Sequence, residues 1–91
     1  MWKVTKNKID EDEEKCPLYR SCDFDEAKFK QSEHVKFRLL DDDGEVYFWG
    51  FMEHSDLHGT EDRAFAPLDD LGRGYGCTEL QYREAGKWVT L

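Results

Sequence analysis

Val35-Lys36-Phe37-Arg38-Leu39-Leu40-Asp41-Asp42-Asp43-Gly44-Glu45-Val46-Tyr47-Phe48-Trp49-Gly50-Phe51-Met52 is the stretch whose reading decides the fold. Its first third, Val35 to Leu40, alternates apolar and basic residues, the two-residue period of a half-buried strand. Val46 to Met52 is β-branched and aromatic, which suits a pleated surface. The acidic residues between them tolerate turn conformations, and Gly44 takes a positive φ without a Cβ clash. The spacing therefore predicts a β-hairpin. A four-residue turn pairs Leu39 with Val46 and Phe37 with Phe48, and sets Lys36 against Trp49 and Arg38 against Tyr47 for cation–π contact. A three-residue turn with a bulge at Gly44 matches Phe37 with Trp49 instead. Both registers are open.

The returning strand is apolar on both sides. Alternation sends Tyr47, Trp49 and Phe51 one way and Val46, Phe48 and Met52 the other. Buried aromatic side chains cover ~150–250 Å² each, so three rings left together in water make a patch of roughly 400–700 Å². This strand is expected to be central and covered above and below, or to present one face to a partner.

At 91 residues the chain is expected to be one domain. A chain this short buries roughly 60–65% of its unfolded surface, enough for one modest core. The formal net charge is −8, with 37% charged residues. That balance argues against direct binding to a nucleic-acid backbone, which needs clustered Lys and Arg, and against an anionic membrane surface. It suits a basic partner, or simply solubility. The start, Met1-Trp2-Lys3-Val4-Thr5-Lys6, has no apolar core of a secretion signal, and no run reaches the length of a membrane-spanning helix. Three cysteines, Cys16, Cys22 and Cys77, are an odd count that fits a reducing compartment, so the expected location is cytoplasmic.

Around the hairpin the rest of the chain falls into place. Trp2 to Thr5 alternates and predicts a first strand with Trp2 and Val4 inward. Asp10 to Glu14 is a run of acids that repels itself and reads as a solvated loop. Asp23-Phe24-Asp25-Glu26 has the spacing of a capping box and predicts a short helix from Phe24 to about Gln31, with Phe24 and Ala27 toward the hairpin. Glu53 to Arg63 is polar and reads as a loop. Pro67 and Gly72 fit the start and stop of a helical turn that anchors Phe65, Leu68 and Leu71 in the core. Gly72 to Gly76 reads as a glycine-rich connector. Cys77 to Leu91 predicts a second hairpin with the two-residue turn Ala85-Gly86, because a three-residue turn would oppose Arg83 to Lys87. Its inner face is Leu80, Tyr82, Val89 and Leu91; its outer face carries Glu79, Gln81, Arg83, Trp88 and Thr90.

The expected fold is mainly β, with α+β as the variant. It is a small antiparallel twisted sheet or partly open barrel of four to five strands, with two hairpins and at most one or two short helical turns. Residues 1–91 form one domain in which residues 10–34 are the irregular, acidic and least ordered segment.

Candidate chemistry is sparse. Asp41-Asp42-Asp43-Gly44-Glu45 suggests calcium, but with Gly44 as the sixth position of an EF-hand loop, Leu39 and Gly50 fall at its ends and neither ligates through a carboxylate. An acidic turn is the simpler reading. His54 and His58 lie four apart and, with Cys16 and Cys22, make a candidate zinc set, although the spacing matches no standard finger. The simpler reading is exposed loop histidines. Cys77 with a histidine is a nucleophile candidate on residue type alone, and a free buried Cys is the commoner case. No catalytic motif is complete, so no enzyme and no cofactor are expected. The candidate interaction residues are Tyr47, Trp49 and Phe51, and the expected partner is a protein or a second copy. Mimicry of DNA charge, directed at a nucleic-acid-binding protein, is the alternative use of so acidic a chain.

The chain resembles a group of small bacterial proteins that carry no assigned activity. The matching residues are Trp2-x-Val4-Thr5, then Phe37-Arg38-x-x-Asp41-Asp42-Asp43-Gly44-x-Val46-Tyr47, Phe65-x-Pro67-Leu68-Asp69-Asp70, Gly76-Cys77-Thr78 and Gly86-Lys87-Trp88. The resemblance spans most of the chain except Ile9 to Glu33, and Gly50-Phe51-Met52 departs from its more polar pattern. It implies a shared fold and a bacterial or mobile-element origin, and it supplies no catalytic residues.

Overall fold

A computed structural model, which describes residues 1–8 and 19–91, folds the stretch 35–52 back on itself. Five strands form one open antiparallel sheet: β1 (Trp2–Asn7), β2 (His34–Leu40), β3 (Val46–Glu53), β4 (Glu79–Glu84) and β5 (Lys87–Thr90). Their spatial order is β1-β3-β2-β4-β5. The returning arm β3 is thus interior, held by β1 on one side and β2 on the other, and its Phe48 and Met52 are wholly buried.

The register of the first hairpin is neither of the two alignments expected over its whole length. Leu40 faces Val46, as a three-residue turn requires, but Leu39 faces Phe48 and Phe37 faces Gly50. Tyr47 is the extra residue of a bulge. The cause lies in the turn. Asp41 Oδ1 accepts from the backbone N–H of Asp43 and of Glu45, each at 2.9 Å. The Tyr47 hydroxyl also donates to the Asp41 carboxylate. Gly44 completes the turn at φ 81°, where a side chain would be strained.

β1 carries a second irregularity. Val4 faces Gly50 and Lys6 faces Trp49, so Thr5 is the extra residue. Simple alternation would have turned Lys6 inward; the bulge turns it outward. The free side of β1 is occupied from Trp2 to Val4 by residues 19–21. Val4 N–H donates to Tyr19 O at 2.8 Å, Ser21 N–H donates to Trp2 O at 3.0 Å, and Lys3 bridges Arg20.

The second hairpin adopts the predicted register: Glu84 faces Lys87, Arg83 faces Trp88 and Tyr82 faces Val89. Ala85 at φ 50° and Gly86 at φ 77° make the two-residue turn, whose left-handed backbone matches the twist of the strands it joins.

One face of the sheet is the core. Trp2, Val4, Phe37, Leu39, Phe48, Met52 and Leu80 pack there against Leu57, Leu68 and Cys77 from the segment that follows β3. Each fully buried Phe, Leu or Met contributes about 1.5–3 kcal/mol relative to exposure. That segment is more helical than the polar sequence 53–63 suggests. After α1 (Glu26–Gln31) come α2 (His54–Leu57), α3 (Glu61–Ala64), α4 (Ala66–Asp70) and a 3-10 turn at Gly72–Tyr75. The expectation of one or two helical turns, and of a loop and a connector in these places, is corrected. Two of these turns have a local reason. Thr60 caps α3 by accepting from Arg63 N–H at 3.3 Å. Pro67 sits at the start of α4, where no backbone donor is required. As its spacing predicts, Leu68 is buried, with Phe65 and Leu71 packed beside it.

α1 lies elsewhere, and its cap is Asp25 rather than Asp23. Asp25 Oδ1 accepts from Ala27 N–H at 3.0 Å and Lys28 N–H at 3.2 Å. The helix buries Phe29, not Ala27, which is exposed.

Candidate functional site: the outer face of the sheet

Pairing places residues directly opposite each other on the same side of a sheet, so the register assigns the second face residue by residue. Lys3 lies beside Phe51 and Lys6 beside Trp49. Lys36 faces Phe51 and Arg38 faces Trp49 on the other flank of β3. Arg38 also faces Gln81 of β4. Gln81 then faces Thr90, and Arg83 faces Trp88. The result is a surface of rings, Trp49, Phe51 and Trp88, interleaved with Lys3, Lys6, Lys36, Arg38 and Arg83.

Its contacts are specific. The Lys6 ammonium stands over the Trp49 ring, 5.0 Å from its centre. The Arg38 guanidinium stands 4.3 Å from the centre of Trp88, and that of Arg83 stands 5.4 Å away. Both distances are within cation–π reach. Arg38 is aimed by Gln81: its Nε–H donates to Gln81 Oε1 at 2.7 Å. Gln81 Nε2 donates in turn to Glu79 Oε2 at 2.7 Å and Thr90 Oγ1 at 3.4 Å. Burial, and then the neighbouring Arg83 charge, pull the Arg38 guanidinium below its ordinary value. Trp49, Phe51 and Trp88 are half-buried, and Lys36 and Arg83 are exposed. A shallow groove runs between Lys6, Lys36, Trp49, Phe51 and Trp88. α1 reaches the Phe51 corner only: Phe29 stacks on His34 at 4.0 Å and lies 5.4 Å from the Lys3 ammonium, and His34 meets Phe51 edge-on at 6.4 Å.

Of the expected interaction residues, Trp49 and Phe51 share this face and Tyr47 does not. As the bulge residue, Tyr47 packs against the core cluster and bonds Asp41. The expected cation–π partners are also exchanged. Arg38 meets Trp88 rather than Tyr47, and Trp49 is met by Lys6 rather than Lys36. Lys6 is not among the expected interaction residues, and Trp88 is expected only on the outer side of the second hairpin. Alternation in Lys87–Thr90 does put Trp88 on the outer side. Its meeting with Arg38, however, depends on β4 lying beside β2, a fact of topology.

The other candidates stay apart. His54 and His58 stand side by side, ring centres 4.3 Å apart. Cys22 is exposed and lines a separate groove with Glu53, Asp56, Arg63 and Asp70. Cys16 lies outside the described residues. Among the described residues, no group of three His, Cys, Asp or Glu side chains converges to hold a metal ion. Cys77 is buried in the core, and its burial, then the Asp41 charge, push its thiol up to about 11, which leaves almost no thiolate at neutral pH. The acidic turn is accounted for by Asp41, which accepts the backbone donors of the turn. No described helix is long and apolar enough to cross a membrane. Comparison with protein-family models, with curated proteins and with solved structures returns no match.

Proposed function

We propose that this chain is a non-catalytic, cytoplasmic interaction module that binds a protein partner through the outer face of its sheet, and that it shares this role with the small bacterial proteins it resembles. The observation that carries the reading is the set Trp49, Phe51 and Trp88, held half-buried on one sheet face among basic side chains. Tryptophan and arginine are the side chains that most often dominate the energy of protein contacts, and large rings held on strands lose little freedom on binding. A partner is favoured over face-to-face pairing of two copies, since pairing would bring Lys6, Lys36, Arg38 and Arg83 against their own kind.

The test compares wild type with Trp88→Ala, whose fold is checked by circular dichroism. Both are immobilised and used to capture proteins from the source cells, and the solution mass is measured in parallel. The reading expects proteins retained by wild type, lost with Trp88→Ala, and released by salt at about 0.5 M, where charge attraction is screened within a few ångströms. A monomer that captures the same set as its variant, indifferent to salt, overturns it.

A further inference from the structure

Resting on that reading, we infer that the outer face takes an acidic polypeptide segment containing aromatic residues. The chain as a whole carries a net charge of −8, yet its outer face gathers Lys6, Lys36, Arg38 and Arg83 on adjoining strands, with Lys3 at the edge paired to Glu26 at 3.6 Å. At physiological ionic strength charges are screened beyond about 8 Å. An approaching ligand therefore senses this cluster and not the acids on the far side of the molecule. Two of these cations, Arg38 and Arg83, crowd one indole. Neither has a carboxylate within ion-pair distance among the described residues. A carboxylate laid between them satisfies both guanidinium groups by charge-assisted hydrogen bonds.

The same geometry disfavours the other common polyanion. Single-stranded nucleic acid binds sheet faces by stacking bases on free aromatic faces. Here the ring faces are already attended by the chain's own cations, Lys6 on Trp49 and both arginines on Trp88. The surface is also bounded at one end by Glu79, which would repel a phosphate chain running past the basic centre; at the other end Glu53 is paired with the N-terminal ammonium at 2.6 Å. A polypeptide has no uniform charge. It can set carboxylates against Lys36, Arg38 and Arg83 and an aromatic side chain into the groove beside Trp49 and Trp88, and so avoid Glu79.

The probe is a soluble copolymer of glutamate and tyrosine, titrated while tryptophan fluorescence is read. Polyglutamate and oligo(dT) serve as comparisons. Two double variants are made. Lys36→Glu with Arg83→Glu reverses charge on the outer face; Arg63→Glu with Arg73→Glu does so on the helical side. All four positions are exposed, so the fold is expected to survive, and circular dichroism checks it. The proposal expects the copolymer to bind more tightly than polyglutamate. It expects the outer-face variant to weaken that binding about tenfold or more, and the helical-side variant to change it by less than about twofold. Tighter binding of oligo(dT), lost with the same outer-face variant, makes the occupant a nucleic acid and overturns the proposal while leaving the face as a binding surface. Concentration-dependent self-association of wild type that the outer-face variant abolishes makes the occupant a second copy and also overturns it. Absence of copolymer binding overturns it alone, because the capture experiment judges the interaction role independently.

Discussion

At Gly50 a Cβ would stand 2.1 Å from the Lys3 carbonyl oxygen and 2.9 Å from the Phe37 ring. The first neighbour is backbone of the adjoining strand and cannot rotate away. Glycine here lets the Phe37 ring lie over β3 while β1 stays close. Gly50→Ala is expected to cost about 2–4 kcal/mol by overpacking, a drop in melting temperature of about 10–20 °C for a domain of this size. A thermal melt unchanged by the substitution would refute this account of the core. Tyr47 and Asp41 give a second residue-scale expectation. The backbone bond from Glu45, then the Tyr47 hydroxyl, hold the Asp41 carboxyl below its usual 3.8. The stability this lends is present above that value and is lost as pH falls through the lowered one. The bond to Asp41 pushes the Tyr47 phenol up from 10.0 to about 12. Its stabilising share is whole below pH 10 and is lost as pH rises toward 12. Ultraviolet titration should show one of the four tyrosines ionising late. Asp41→Asn should bring that tyrosine back toward the ordinary range.

Among the elements, the β4–β5 turn offers the clearest test. Ala85 holds φ 50°, a conformation that costs a residue with a Cβ roughly 1–2 kcal/mol, whereas Asn-Gly is the preferred pair for such a turn. Ala85→Asn should therefore raise the melting temperature by several degrees, and a lowered value would contradict the turn assignment. This hairpin was fully legible because alternation and like-charge avoidance agree on one register. The first hairpin was legible in place but not in register. Its bulge depends on Asp41 gathering backbone donors and the Tyr47 hydroxyl, and local spacing does not report such a bond. The helical turns α2 and α3 were illegible for a different reason. Each buries a single residue, Leu57 or Ala64, and one buried position defines no period. The outer face was legible in half: Trp49, Phe51, Lys36 and Arg38 come from one hairpin, while Lys6 joins them through a bulge and Trp88 through a strand order that only the tertiary structure sets.

For the molecule as a whole, stability should fall from the middle of the sheet outward. β2 and β3 are paired on both sides and carry Phe37, Leu39, Phe48 and Met52 at zero exposure. β5 has four residues and one neighbour, and α1 has six residues and one buried side chain. Amide hydrogen exchange should be slowest in β2 and β3 and fastest in α1 and β5. Equal protection throughout would mean that the sheet opens as one unit. The same layout governs growth. Tyr19 to Ser21 bond along β1 from Trp2 to Val4, so that half of its flank is already taken. β5 ends the strand order with one neighbour. A second copy pairing edge to edge through β5 would use up the open side of both strands at once.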